Sequence, residues 1–327
     1  MQNIYLFGSM GQDGKLLIKL LKKNNPKCTL ILFSKDKIIV DYFSNKKGIN
    51  ITSNFNYLSI IDTLFAEYYP DFIFYFAAVH FSFSEISNNI NDSDLNNMNF
   101  TNYFLPLHII KSCLLSNKLT RVLFASSSLI FAESNESPQT EETVRNPSCI
   151  YGKQKYMVES FLSSLCINTN IKAYIAILYN HESVFRQSKF FTKKLISFCS
   201  DFSKLKNKKK LQLFNRNSKI DMGYAPEYVE AMYKLVLKGK PGSYIFSTQK
   251  LLEVNEIVNI VLEFYKLDQK IINFDSFSPR NNTQLLGINK KISNEINWIP
   301  FYTSSKLIHK LCMDFEYFKS NKKNKIR

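Results

Sequence analysis

The chain has 327 residues, 45% of them hydrophobic and 14% aromatic, which is enough apolar surface for a large core and too much for a disordered chain. Much of its net charge of +16 sits in KLKNKKK (204–210) and KSNKKNKIR (319–327), which do not interleave basic with aromatic residues and so read as solvated surface, with no nucleic-acid partner. No apolar run reaches the about 18 residues that span a bilayer, the N-terminus enters a strand with no export signal, and the six cysteines lack CxxC spacing, so the reading is a cytoplasmic protein with reduced thiols, no metal site and no membrane insertion.

In chain order, NIYLF (3–7) reads as a strand, 14–24 as a helix, TLILF (29–33) as a strand and 58–68 as a helix. FIFYFAA (72–78) is the next strand, followed by a helix over 99–116, the strand RVLFAS (121–126), a long helix over 151–166 and the strand KAYIAILY (172–179). Continuous apolar strands separated by helices predict a parallel sheet covered on both faces. This is a doubly wound α/β (Rossmann) fold, with ligands beyond the C-terminal strand ends. After Tyr179 the pattern loosens into helices at 188–200, 226–239 and 254–267 and short strands at 211–214 and 243–246. The expected division is a dinucleotide-binding domain over 1–179, a smaller substrate-binding region over 180–318 with some segments returning to the sheet, and a frayed basic tail over 319–327.

Three constellations carry chemistry. FGSMGQDG sets Gly8, Gly11 and Gly14 between a strand and a helix, where glycines permit a tight turn and close approach of a diphosphate to the helix N-terminus. At the end of the second strand, Ser34 and Lys35 favour the extra phosphate of NADP(H), while Asp36 keeps NAD(H) open. ASSSLIF (125–131) places hydroxyls at a buried strand tip, and Tyr151 and Lys155 lie four apart on one helix face. A lysine ammonium lowers the pKa of a neighbouring phenol. Tyr-x-x-x-Lys alone says little in a chain with 18 tyrosines; after a glycine turn and a serine-tipped strand it describes hydride transfer at a carbinol carbon. Tyr151 would move the proton and Ser127 would hold the oxygen.

On these residues the chain resembles the extended short-chain dehydrogenase/reductases, and within them the GDP-mannose 4,6-dehydratase group. GSMGQDG is similar to that group's glycine turn, PDFIFYFAA to its fourth strand, SPQTEET to its Pro-Gln-x-Glu loop and ILYNHES to its Asn-His-Glu-Ser segment. NRNSKIDMGYAPEYVEAM and INWIP match two later segments. The resemblance implies cofactor contacts at Gly8, Gly11, Gln12, Asp13, Gly14, Ala77, Ala78, Tyr151 and Lys155, and sets Asn54 and Phe55 where the group has Asp-Leu after its third strand. It implies a nucleotide-diphosphate sugar as substrate, GDP-linked, with Asn180, Lys194 and Asn215 near the diphosphate and base and Arg280 as a late phosphate ligand. His80, Ser128 and Glu182 join the substrate candidates, although His181 and Glu182 also read as braces of their loop. Helices 99–116 and 151–166 resemble those that pair in the superfamily's homodimers.

The departures decide the reading. The group's strand tip is Ser-Thr-Ser-Glu-Leu-Tyr-Gly, and here Leu129 stands at the glutamate position. Leucine cannot take the sugar's C5 proton, and losing a positioned acid–base group costs about 10²–10⁴-fold. The expectation is therefore a 4-ketoreductase or 4-epimerase acting at C4 of a nucleotide sugar. A 4,6-dehydratase with His80 as a relocated base, and a catalytically degenerate nucleotide-sugar-binding homologue, are the alternatives.

Overall fold

The computed structural model describes residues 1–43, 47–81, 91–116, 118–132, 134–165, 169–202, 210–275 and 284–324. The apolar runs form the strands of one eight-stranded sheet. β1 (Asn3–Phe7) lies between β2 (Thr29–Phe33) and β5 (Phe72–Tyr75), followed outward by β6 (Thr120–Ser127), β7 (Ile171–Leu178) and β11 (Gly242–Phe246). These six pair in parallel, in register Phe7↔Phe33, Phe7↔Tyr75 and Ser127↔Leu178, so their C-terminal ends fall along one edge of the sheet.

Both faces of the sheet are buried, which is why the strands carry no polar alternation. Tyr5 and Phe7 face one core, built with α2 (Asn54–Glu67), α4 (Leu105–Leu114) and α5 (Ile150–Leu165). Ile4 and Leu6 face the other, built with α1 (Gln12–Asn24), α7 (Ala225–Lys238) and α9 (Lys290–Ile296). Strand β11 and helices α7 and α9 thus return from the second half of the chain to the sheet. A third core joins α6 (Phe191–Asp201), α8 (Val254–Tyr265) and α10 (Ser304–Asn324) to β9 (Leu211–Phe214), β10 (Lys219–Tyr224), β12 (Leu251–Glu253) and β13 (Ile272–Asp275). β8 (Asn180–Glu182) pairs with β10, as Asn180↔Met222 and Glu182↔Tyr224.

Three expectations need correction. The helix expected over 99–116 begins earlier, as α3 (Asp92–Asn99), and passes through a π-helical turn at Phe100–Phe104 before α4. Pro106, in the first turn of α4, lacks an N–H and crowds the preceding carbonyl, which loosens the ladder there. Between the second strand and the helix over 58–68, where the sequence reading set no element, stands an antiparallel pair, β3 (Lys37–Val40) and β4 (Lys47–Asn50), at the sheet edge. The basic tail is not frayed over 319–324, because α10 continues through it; Lys319 meets the Asp201 carboxylate at 2.7 Å and the carbonyl of Ser200.

Candidate active site

The glycine turn is shaped by sterics. Gly8 has φ +81°, and a Cβ there would lie 2.6 Å from the Ala77 backbone nitrogen; one on Gly14 would lie 2.4 Å from the Gly8 carbonyl. The turn is closed by Gly11 N–H donating to the Gly8 carbonyl at 2.9 Å and by Ser9 Oγ donating to the Phe33 carbonyl at 3.1 Å. Gly11 caps α1 without a side-chain partner, so the first N–H groups of that helix point at the space beyond β1. A turn that leaves no room for a Cβ at Gly8 or Gly14 and presents backbone donors fits a dinucleotide diphosphate. Ala77 and Ala78 follow β5 beside it, held by Asn102 of the π turn. The Asn102 amide accepts from Val79 N–H and donates to the Val79 carbonyl and to Gln154 Oε1, each at 2.9 Å.

Gln12 and Asp13 are not free for a ligand, as the resemblance had implied. Gln12 Nε2 donates to the His181 carbonyl at 3.0 Å, its Oε1 accepts from Ser183 Oγ at 2.9 Å, and Asp13 pairs with His181 at 3.1 Å. Their side chains tie the turn to β8, which leaves their backbone N–H groups for an anion. The Ser34 hydroxyl donates to the Lys37 carbonyl at 2.6 Å within the β2–β3 turn, while Lys35 is exposed at its tip. Asn54 and Phe55 open α2 beyond β4 and are exposed; β3 lies between β2 and β4, so they stand further out than a parallel neighbour of β2 would place them.

The residues expected to move the proton do come together. Ser127 ends β6 and accepts from Leu129 N–H at 3.2 Å, opening a 3-10 turn over Ser128–Phe131 in which Ser128 is buried. The Ser127 hydroxyl stands close enough to the Tyr151 phenol to favour its ionised form. Lys155 is almost fully buried, donates to the Ala125 carbonyl at 2.8 Å, and sits 5.7 Å from the centre of the Tyr151 ring. Gly152 lets α5 press against this tip, since a Cβ there would lie 2.7 Å from the Leu129 carbonyl.

The electrostatics differ from expectation. Burial pushes the Tyr151 phenol up to about 12 and Lys155 down to about 7. The cation that pulls the phenol down against burial is Arg186. Arg186 lies with its guanidinium carbon 3.8 Å from the centre of the Phe190 ring and pairs with Glu182 at 3.2 Å. Sequence reasoning missed it; its signal was the i,i+4 spacing from Glu182. A second missed pair stands behind the strand tip. There Ser126 Oγ donates to Glu159 Oε2 at 2.7 Å and Arg145 binds the other oxygen at 3.0 Å. Burial raises the Glu159 pKa against the pull of Arg145.

Among the substrate candidates, His80 is carried to Tyr151, its ring centre 4.6 Å from that of the phenol and edge-on to it. Glu182 is buried, and burial raises its pKa against the pull of Arg186. Asn180 is exposed at the start of β8, its amide 3.5 Å from the Asp221 carbonyl. Lys194 is exposed on α6, donating to the Gln212 carbonyl at 3.4 Å. Asn215 has φ +58° in the turn before β10, and its buried Oδ1 has no hydrogen-bond partner among the described residues. Arg280 lies outside the described residues. Leu129 is half-buried in the turn that faces α5.

A family model described as GDP-mannose 4,6 dehydratase matches residues 6–311. The chain is 28% identical over 238 residues to the GDP-mannose 4,6 dehydratase of Drosophila melanogaster, covering 66% of this chain and 59% of that protein. It is 27% identical over 236 residues to that of Cricetulus griseus, covering 66% and 63%. The chain therefore spans less than two thirds of the length of these relatives. Its structure resembles dTDP-glucose 4,6-dehydratase from Bacillus anthracis in complex with NAD, with a TM-score of 0.78 at 14% identity over 97% of each chain. It also resembles RMD from Pseudomonas aeruginosa complexed with NADPH, with a TM-score of 0.75 at 15% identity over 97% of this chain and 100% of that one. The sequence match runs from β1 into α10 and takes in the glycine turn, the strand tip and the Asn180–Ser183 segment, so the chain belongs to the GDP-mannose 4,6 dehydratase family.

Proposed function

We propose that the protein is an NADP(H)-dependent oxidoreductase acting at C4 of a nucleotide-activated sugar, of the 4-ketoreductase or 4-epimerase type, working in the cytoplasm on sugars destined for surface glycans. The observation that carries this reading is the coexistence of an assembled Ser127–Tyr151–Lys155 site with a leucine at the acid position beside it. When bound, the dinucleotide supplies or takes up the hydride. Lys35 at the β2 tip favours the phosphorylated form, with NAD(H) as the alternative. Tyr151 is protonated at neutral pH, as a donor to a C4 carbonyl oxygen must be, and Ser127 holds that oxygen in line. Lys155 orients the site from a buried, near-neutral position, ready to gain a proton when anionic groups enter. A GDP-linked sugar is the substrate that the family membership favours, with Asn180, Lys194 and Asn215 on the side of its diphosphate and base.

The second reading is a 4,6-dehydratase whose base is His80, favoured by the placement of that ring against Tyr151. One assay separates the two. The protein is given GDP-mannose with NADP⁺, and separately the 4-keto-6-deoxy product with NADPH, and both are followed by mass spectrometry. Consumption of NADPH with the ketone supports the reductase, and loss of water from GDP-mannose overturns it. A homodimer is part of the proposal: Phe104, at the end of the π turn before α4, and Tyr156, Met157 and Phe161 on α5 are exposed. Met157→Glu should yield monomers by light scattering.

A further inference from the structure

Asp13 is an awkward residue for the turn it occupies. It is the second residue of α1, so its carboxylate stands in the helix turn whose N–H groups face the diphosphate in the reading above. An uncompensated charge there repels that anion. His181 reaches it from β8, a segment 168 residues away in sequence. Nδ1 of His181 is 2.8 Å from the Tyr179 carbonyl and Nε2 is 3.1 Å from Asp13 Oδ2, and a carbonyl and a carboxylate are both acceptors. A neutral imidazole carries one N–H and would set a lone pair against one of them, whereas an imidazolium satisfies both.

We infer that His181 is held as an imidazolium whose charge cancels that of Asp13 beneath the dinucleotide diphosphate, making it a positioning residue for the cofactor and making dinucleotide affinity fall when its second proton leaves. The inference rests on the cofactor site of the proposed function. The charged and titratable groups that face His181 are Asp13 from α1, Glu182 and Arg186 from its own segment, and Tyr228 from α7, whose ring stacks on the imidazole at 5.1 Å and 12°. Lys193 from α6 acts on Glu182 in turn. Burial and Arg186 oppose the histidine's proton, but the charge and hydrogen bond of Asp13 and the Tyr179 carbonyl outweigh them, and the His181 pKa is raised. Burial likewise opposes the Asp13 charge and is outweighed by His181, so the Asp13 pKa is lowered. Asp13 also acts on Tyr151, which it pushes toward holding its proton, so the cancelled charge bears on the catalytic phenol as well.

The test is titration of NADPH by calorimetry between pH 6 and pH 9, with the wild type, Asp13→Asn, His181→Gln and the double variant, each checked for folding by circular dichroism. The wild type should bind on the order of tenfold more weakly at the alkaline end than at the acid end. His181→Gln should bind more weakly than the wild type at the acid end and converge with it at the alkaline end, and Asp13→Asn should lose the part of the pH dependence that His181 contributes, keeping only that of Lys155. The double variant should bind more tightly than His181→Gln alone, since removing the stranded charge rescues the site. A double variant as weak as His181→Gln would mean that the histidine only packs, and would overturn the inference while leaving the cofactor site standing. A wild type that binds no dinucleotide would overturn the cofactor reading and this inference with it. If His181→Gln does not fold, the pH dependence of the wild type against Asp13→Asn decides: identical curves overturn the inference.

Discussion

The two walls of the candidate site are built on opposite principles. The wall of β6 and α5 places Ser127, Tyr151 and Lys155, the groups proposed to move the proton, by backbone packing. Ser127 is fixed by the turn it opens, Lys155 by one carbonyl and α5 by Gly152, while the ion pair of Glu159 with Arg145 stands behind the tip. The wall of α1 and β8 is held by charges inside the site. There Asp13, His181, Glu182 and Arg186 alternate in sign and carry the contact between the glycine turn and the second half of the chain. Chemistry at a carbonyl needs neutral groups that can pass a proton, and burial keeps Tyr151 and Lys155 near neutrality. Holding two diphosphates near one another needs charge, and buried charges persist only when paired.

That contrast can be broken from either side. The largest effect expected is on the first wall, where Tyr151→Phe should lower ketone reduction by at least about 10²–10⁴-fold while NADPH binding survives; retained turnover in a stopped-flow assay would move the reaction elsewhere. Leu129→Glu restores a carboxylate to the strand tip, and mass spectrometry should then detect water loss from GDP-mannose, at up to about 10²-fold above the wild-type background. A variant that remains inert would mean that Leu129 is not the reason for any lost elimination.

The two arginines compare the walls directly. Arg145→Met and Arg186→Met each strand a buried carboxylate, so each should destabilise the fold by about 3–5 kcal/mol in urea unfolding. Only Arg186→Met removes the cation that lowers the Tyr151 pKa, so only it should move the alkaline limb of the kcat profile to higher pH. Equal shifts in both would erase the distinction drawn here.

The smallest effect concerns stability against pH. Lys155 titrates near 7 in the fold and near about 10.4 when unfolded. The unfolded chain therefore binds more protons between those values, and the contribution of this group to stability climbs as pH rises from about 7 to about 10. Lys155→Met should stabilise the ligand-free protein by on the order of 2–4 kcal/mol at pH 7, with the advantage shrinking by pH 9. An advantage independent of pH would show that the lysine is not buried as a near-neutral amine.

How far the site was legible varies by residue. Gly8, Gly11 and Gly14, the serine tip and Tyr151–Lys155 were readable because each depends on local spacing along a strand end, a turn or one helix face. The side-chain partners of Gln12 and Asp13 were invisible because they lie about 170 residues on, in His181 of β8 and Ser183 just after it. Asn102 was invisible inside a predicted helix, since only the π turn brings its amide to Val79 and Gln154. The antiparallel β3 and β4 were missed because KIIV and KGIN are too short to carry a period.

By itself the sequence determined the alternating layers, the strand ends along which the site lies and the absence of a carboxylate at position 129. These follow from hydrophobic period and residue type, which are local properties of the chain. Only the tertiary structure decided which charges are cancelled, that Arg186 acts on the Tyr151 phenol, and that His181 answers Asp13. Those depend on burial and on distances between segments remote in sequence, and the strength of a charge interaction is set by just those two quantities.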